Sequence, residues 1–137
     1  KLAGKVSERY RVPNDCRELA AVTAREHGNV HRSESLDAAA IVRLLDRCDA
    51  WRRPERFAQL LQACECDARG RLGLEDRAYT QRARLGAALQ AALGVDTAQV
   101  AEQAAAMSLS GPQIGERIRL ARVQAIDAWL SAQPPSR

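Results

Sequence analysis

Aromatic residues are scarce in this chain: one phenylalanine, two tryptophans and two tyrosines among 137 residues. Valine and isoleucine runs are equally scarce, and no useful apolar–polar alternation appears. Alanine, leucine, arginine, glutamine and glutamate dominate instead, a balance that disfavours strands and favours helices. No stretch approaches the roughly 20 apolar residues that span a bilayer, and no signal-peptide pattern or internal repeat is present. Methionine is limited to Met107. A chain that opens Lys1-Leu2-Ala3-Gly4, without an initiating methionine and unlike the mature end of a secreted protein, reads as a piece of something longer.

The usual catalytic signatures are missing as well. There is no glycine-rich phosphate loop, no serine nucleophile arrangement and no paired-carboxylate motif. The cysteines Cys16, Cys48, Cys64 and Cys66 have no zinc-type spacing. Cys64 and Cys66 point in different directions on a helix, while Cys16 and Cys48 sit among apolar neighbours and are expected to be buried. Reduced thiols in a cytoplasmic protein follow. The net charge of +4 permits contact with phosphate without demanding it. Nearly all of the basic residues are arginine; the only lysines are Lys1 and Lys5.

What is present is helical punctuation. The expectation is an all-α fold, a compact bundle of about six or seven short helices. A first helix ends near Tyr10, interrupted by Pro13; a second starts at Pro13-Asn14-Asp15 with Cys16, Leu19, Ala20 and Ala24 on one side. Gly28-Asn29 stops that helix after His27. Asp37 caps a third, which runs to Trp51 with an apolar stripe of Ile41, Leu44, Leu45, Cys48 and Trp51. Pro54 opens a fourth through Phe57, Leu60, Leu61 and Cys64, ended by Gly70 and Gly73. Leu72 to Ala78 is a loop. A fifth helix covers Tyr79 to Leu93 and stops at Gly94; Asp96 caps a sixth to Ala106. After a turn at Ser108 to Gly111, Pro112 begins the last helix to Ser131, followed by a frayed Pro134-Pro135 tail.

Two groups of residues could do chemistry. His27 and His31 lie four apart, which places them on one face only if the helix continues past Gly28. With Glu26 nearby they could meet a metal or a phosphate, but a metal site needs three or four ligands, so no metal site is assigned. Arg52, Arg53 and Arg56 follow Trp51, and Arg69 and Arg71 flank Gly70. Such arginines grip phosphate in bidentate fashion, or equally pair with neighbouring carboxylates, here Asp49, Glu55 and Asp67. Arg117, Arg119 and Arg122 scatter over the last helix and signal little.

The segments Arg11-Val-Pro-Asn14, Glu26-His-Gly-Asn-Val-His31, Asp46-Arg-Cys-Asp-Ala-Trp-Arg-Arg-Pro-Glu-Arg56 and Asp67-Ala-Arg-Gly-Arg71 occur in this order. Taken together, and continued by the Tyr79 segment and the Gly111 turn, the chain resembles the C-terminal part of a bacterial multifunctional CCA-adding tRNA nucleotidyltransferase. The resemblance implies a longer protein that adds C, C and A to tRNA 3′ ends from CTP and ATP, using magnesium in an N-terminal head outside this sequence. It implies that residues 1–51 are the second half of an HD-type phosphohydrolase domain, associated with phosphatase, 2′-nucleotidase and 2′,3′-cyclic phosphodiesterase activity. A further divalent metal such as nickel would belong to that domain. Residues 52–137 then form a helical tail that holds tRNA through Arg52, Arg53, Arg56, Arg69 and Arg71.

His27 matches a functional histidine of the HD domain. The family often has aspartate after it, where this sequence has Gly28, and the eponymous His-Asp pair is expected before Lys1. No cofactor site is complete within the piece, which should be inactive by itself, and homodimerisation is compatible with the resemblance. The competing expectation is a purely structural helical packing or dimerisation module; an independent HD-type hydrolase is disfavoured by the missing pair.

Overall fold

The structure, a computed structural model, describes the backbone of residues 2–71 and 79–133 and the side chains of residues 16–70 and 79–133. Six α-helices appear among the described residues, with no strand. They are α1 (Leu2–His31), α2 (Ala38–Arg47), α3 (Pro54–Arg71), α4 (Thr80–Leu93), α5 (Thr97–Ala106) and α6 (Gly111–Ala132), with a single 3₁₀ turn at Ser33–Ser35. The expected all-α bundle is what forms. The Leu72–Ala78 loop, Gly73 and the Pro134-Pro135 tail lie outside the described residues.

Several helix ends fall where the sequence signals put them. Asp37 caps α2 by accepting from the Ala40 N–H at 2.8 Å, and Asp96 caps α5 by accepting from Gln99 at 3.0 Å. At the start of α6 the Gln113 side chain accepts from the Ser110 N–H at 2.8 Å.

Four helix boundaries are corrected. The first two expected helices are one, α1, running through Pro13: a proline removes a single intrahelical bond, which a long helix can absorb as a bend. Gly28 does not stop it either. Val30 is fully buried on the next turn, and that burial outweighs the roughly 1 kcal/mol that glycine costs a helix. Conversely, α2 ends at Arg47 rather than Trp51, because Asp49 takes a left-handed φ of 54°, a conformation aspartate tolerates better than most residues. The turn is closed by a hydrogen bond from the Trp51 indole Nε1–H to the Asp46 carboxylate. Gly70, finally, lies within α3.

Helix α1 packs on α3, and α6 lies against α4, α5 and α2. One apolar cluster joins Val22 and Val30 of α1 and Ile41, Leu44 and Leu45 of α2 to Phe57, Leu60, Leu61 and Cys64 of α3, Leu85 and Leu89 of α4, and Ile126 of α6. The core therefore draws on both sides of the Trp51–Arg52 division. Arg122 of α6 stacks its guanidinium 4.1 Å from the Trp51 ring centroid, a cation–π contact that gives one arginine of the last helix a packing role.

The face α1 turns inward is only in part the expected one: of that side, Leu19 packs against the core. Val22, Glu26 and Val30 are buried at spacings of four, whereas Cys16, Ala20 and Ala24 are exposed. Cys16 is thus corrected from buried to exposed; Cys48 and Cys64 are buried, and burial pushes the Cys48 thiol up to about 12 and the Cys64 thiol to about 11, so both stay protonated and inert. The inward stripe was hidden because its middle member is a carboxylate. Glu26 is acceptable there because Arg47 Nε (3.1 Å to Oε2), Arg25 Nε (3.0 Å) and Asn29 Nδ2 (2.9 Å) all donate to it. Arg47 belongs to α2, so this buried carboxylate ties the last turns of α1 to the end of α2.

Candidate functional site

The continuity of α1 past Gly28 brings His27 and His31 together. Their rings meet edge to face, centroids 5.8 Å apart at 74°. His27 Nδ1 lies 2.9 Å from the Ala24 carbonyl oxygen and 3.3 Å from that of Thr23. Carbonyls only accept, so Nδ1 carries a proton and donates it, and Nε2 is the ring nitrogen left for chemistry. That half-buried ring borders a groove of about 500 Å³ between α1 and α3, shared with Cys16, Leu19, Thr23, Ala63 and Asp67. A fixed tautomer beside a cavity is the geometry a general base needs.

His31 is engaged differently. Its Nδ1 is 2.8 Å from the Tyr79 hydroxyl and its Nε2 is 3.4 Å from Asp67 Oδ2. Burial, together with the negative charge of Cys64, Glu65 and Asp67 in their ionised forms, pushes the Tyr79 hydroxyl well above its ordinary value, so it keeps its proton and can donate to Nδ1. Nε2–H then faces the carboxylate, and the two ring nitrogens are both satisfied. Tyr79 and Asp67 sit 48 and 36 residues from His31; nothing in local spacing pairs them, so sequence reasoning missed this trio.

The residues around His27 do not fit a divalent metal. Gly28 offers no carboxylate, and a Cβ built there would meet the Arg32 guanidinium, with Nη1 at 3.2 Å. A guanidinium in that place repels a cation. Among the described residues no three His, Cys, Asp or Glu side chains converge as metal ligands would.

The arginines fall into two groups at opposite ends of α3. Arg52 is 82% exposed and lies 3.9 Å from Asp49 Oδ2. Arg53 and Arg56 both reach back to α1, with Nη1 atoms 3.1 Å and 3.2 Å from the same oxygen, Glu18 Oε2. Arg69 lies 13 residues beyond Arg56, about 20 Å along the helix at 1.5 Å per residue. It grips Glu65 with Nε at 3.0 Å and Nη2 at 2.8 Å, and Arg82 of α4 takes the other oxygen of Glu65 at 3.0 Å. These bonds hold the Glu65 carboxyl below its ordinary value, those from Arg69 contributing most. The Arg71 side chain lies outside the described side chains. Glu18 and Glu65 are thus the unforeseen partners: both were plain surface glutamates in the sequence.

Comparison with known proteins places this architecture. The chain is 62% identical over 135 residues to the multifunctional CCA protein of Paracidovorax citrulli (strain AAC00-1), covering 98% of the chain and 32% of that protein. The chain is similar to multifunctional CCA proteins over nearly its whole length. Identity is 61% over 136 residues to the multifunctional CCA protein of Acidovorax sp. (strain JS42), and 58% over 133 residues to that of Verminephrobacter eiseniae (strain EF01-2), with 32% of each relative covered. The chain thus spans about a third of the length of these curated CCA relatives. The resemblance carried by the Asp46–Arg56 and Asp67–Arg71 segments extends across the entire bundle, from α1 to α6. No protein-family model matches the chain, and no solved structure matches it. No described helix is long and apolar enough to cross a membrane.

Proposed function

We propose that the chain is the C-terminal portion of a CCA-adding tRNA nucleotidyltransferase and serves it by holding tRNA, while CTP and ATP are bound and joined to the RNA elsewhere in the longer protein. The observation that carries this reading is identity of 58–62% to multifunctional CCA proteins over 97–98% of the chain. Residues 1–51 would complete a phosphohydrolase domain in which His27 acts, and residues 52–137 the tRNA-holding tail. Arginine–phosphate contacts fix position without reading sequence, as an enzyme acting on every tRNA requires. Magnesium chemistry would belong to the rest of the protein, since the ligand geometry around His27 does not suit it.

A second reading has one observation in its favour. Arg52, Arg53, Arg56 and Arg69 each approach a carboxylate within the chain, as a packing module would arrange them. The Arg52–Asp49 pair is solvated, however, and an exposed pair of this kind is worth at most about 1 kcal/mol, which leaves Arg52 available to a stronger anion.

The division of labour has a direct test. The longer protein should add labelled CMP and AMP to tRNA lacking its 3′ end, whereas the purified 137-residue chain should incorporate no more than a protein-free control. Incorporation by the chain alone would sink the assignment of nucleotide addition to the remainder.

A further inference from the structure

Between α1 and the start of α3 lies a second groove, of about 430 Å³, with Arg52, Arg53 and Arg56 on its wall and Cys16 and Leu19 alongside. Arg56 is largely buried, its side chain 14% exposed, and its Nη2 donates to the Cys48 carbonyl at 3.3 Å, so the guanidinium is held in place by the end of α2. The anion it meets is held less firmly. Glu18 is 54% exposed and offers one oxygen, Oε2, to both Arg53 and Arg56. A half-solvated carboxylate that divides a single oxygen between two arginines can be displaced by an anion that offers each its own.

Phosphate is such an anion. A backbone phosphodiester spreads its charge over two non-bridging oxygens that match the planar fork of arginine in bidentate fashion, so each of two arginines can take an oxygen, where Glu18 offers both the same one. Arg52, on the rim and almost fully solvated, can swing onto a bound phosphate at little cost. Glu55, exposed on the same wall, opposes the binding and limits its strength. The groove also adjoins the one that ends at His27, since Cys16 and Leu19 border both. Along α1, residue 16 and residue 27 are about 16 Å apart, a short stretch of RNA backbone.

We propose that this groove seats a phosphate of the tRNA backbone, and that Glu18 occupies the phosphate's place in the free protein and is displaced when RNA binds. The proposal rests on the reading of the chain as a tRNA-holding portion and narrows it to the Arg52–Arg53–Arg56 end of α3, rather than the Arg69 end.

Cys16 makes the test simple, because it is exposed at the groove while Cys48 and Cys64 are buried. In a Cys66→Ser background, thiol modification reports on Cys16. Its rate is measured against inorganic pyrophosphate, and against a tRNA transcript whose binding is followed in parallel by filter retention, all at fixed ionic strength. Both ligands should slow the modification. Glu18→Gln should lower the pyrophosphate midpoint about two- to five-fold by removing the competing charge, and Arg52→Ala should raise it. The site is overturned if neither ligand protects Cys16, or if Glu18→Gln leaves the midpoint unchanged or raises it. Transcript retained on the filter with Cys16 reacting at its unliganded rate overturns the site and spares the tRNA reading. Protection by pyrophosphate with no retention of transcript supports the phosphate site and removes the tRNA reading instead.

Discussion

Replacing Glu26 by alanine is expected to cost about 2–3 kcal/mol of stability, read as a lower urea midpoint. The side chain is 2% exposed and receives hydrogen bonds from Arg25, Asn29 and Arg47. Breaking a fully buried ion pair costs about 3–5 kcal/mol, but Arg25 and Arg47 are 55% and 45% exposed and can turn to water, which places this loss below that range. Burial pushes the Glu26 carboxyl up, yet the hydrogen bonds from Arg47, Asn29 and Arg25 outweigh burial and hold it below its ordinary value of 4.5. A carboxylate depressed in this way contributes stability that is complete above its unfolded value and is lost as pH falls through the folded one. The unsubstituted chain should therefore lose that contribution on acidification below about pH 4.5, and Glu26→Gln, which cannot titrate, should show a flatter profile there. Equal acid sensitivity of the two chains would remove Glu26 from the account. The consequence reaches function, because this carboxylate anchors the turn of α1 that presents His27.

His27 is the subject of the second large effect. In the longer protein, His27→Ala is expected to reduce hydrolysis of a 2′,3′-cyclic nucleotide by about 100-fold or more, the usual contribution of a positioned general base. Addition of CMP and AMP should stay within about two-fold, since nucleotide transfer is assigned to the remainder of the protein. Among the described residues the ring's hydrogen bonds are the two from Nδ1 to backbone carbonyls of its own helix, so the substitution costs the fold little. The paired rates decide: a parallel fall in both activities, together with a lower melting temperature, would make His27 a structural residue.

The sequence carried most of the helix pattern because caps are local. Asp37, Asp96 and the turn before Pro112 act within four residues, and each marks a boundary found in the structure. The errors came where a distant contact overrode a local preference. Gly28 reads as a stop until Val30 is seen in the core, and Asp49 reads as helical until its left-handed turn places Trp51 under Arg122. The inward face of α1 escaped notice because Glu26 breaks the apolar stripe, and its three donors come partly from α2. The candidate site was half visible. Arg52, Arg53 and Arg56 stand out as a cluster in the sequence, but the meeting of Arg53 and Arg56 with Glu18 spans more than 30 residues and no periodicity encodes it. The same holds for the approach of Tyr79 and Asp67 to His31.

The affinity of the 137-residue chain for tRNA as a function of salt bears most directly on the claim that this bundle holds tRNA. Each phosphate contact contributes about 0.7–0.9 to the log–log slope of affinity against salt concentration. The account predicts binding at low salt that weakens steeply as salt rises, is similar for tRNAs of different sequence, and loses about one unit of slope in Arg52→Ala. Arg52 is the informative position: it is 82% exposed and 3.9 Å from its carboxylate, so its removal should leave the melting temperature unchanged. A chain that retains its fold yet fails to bind tRNA at low salt, or binds it with a slope that Arg52→Ala does not alter while stability falls, would contradict the account.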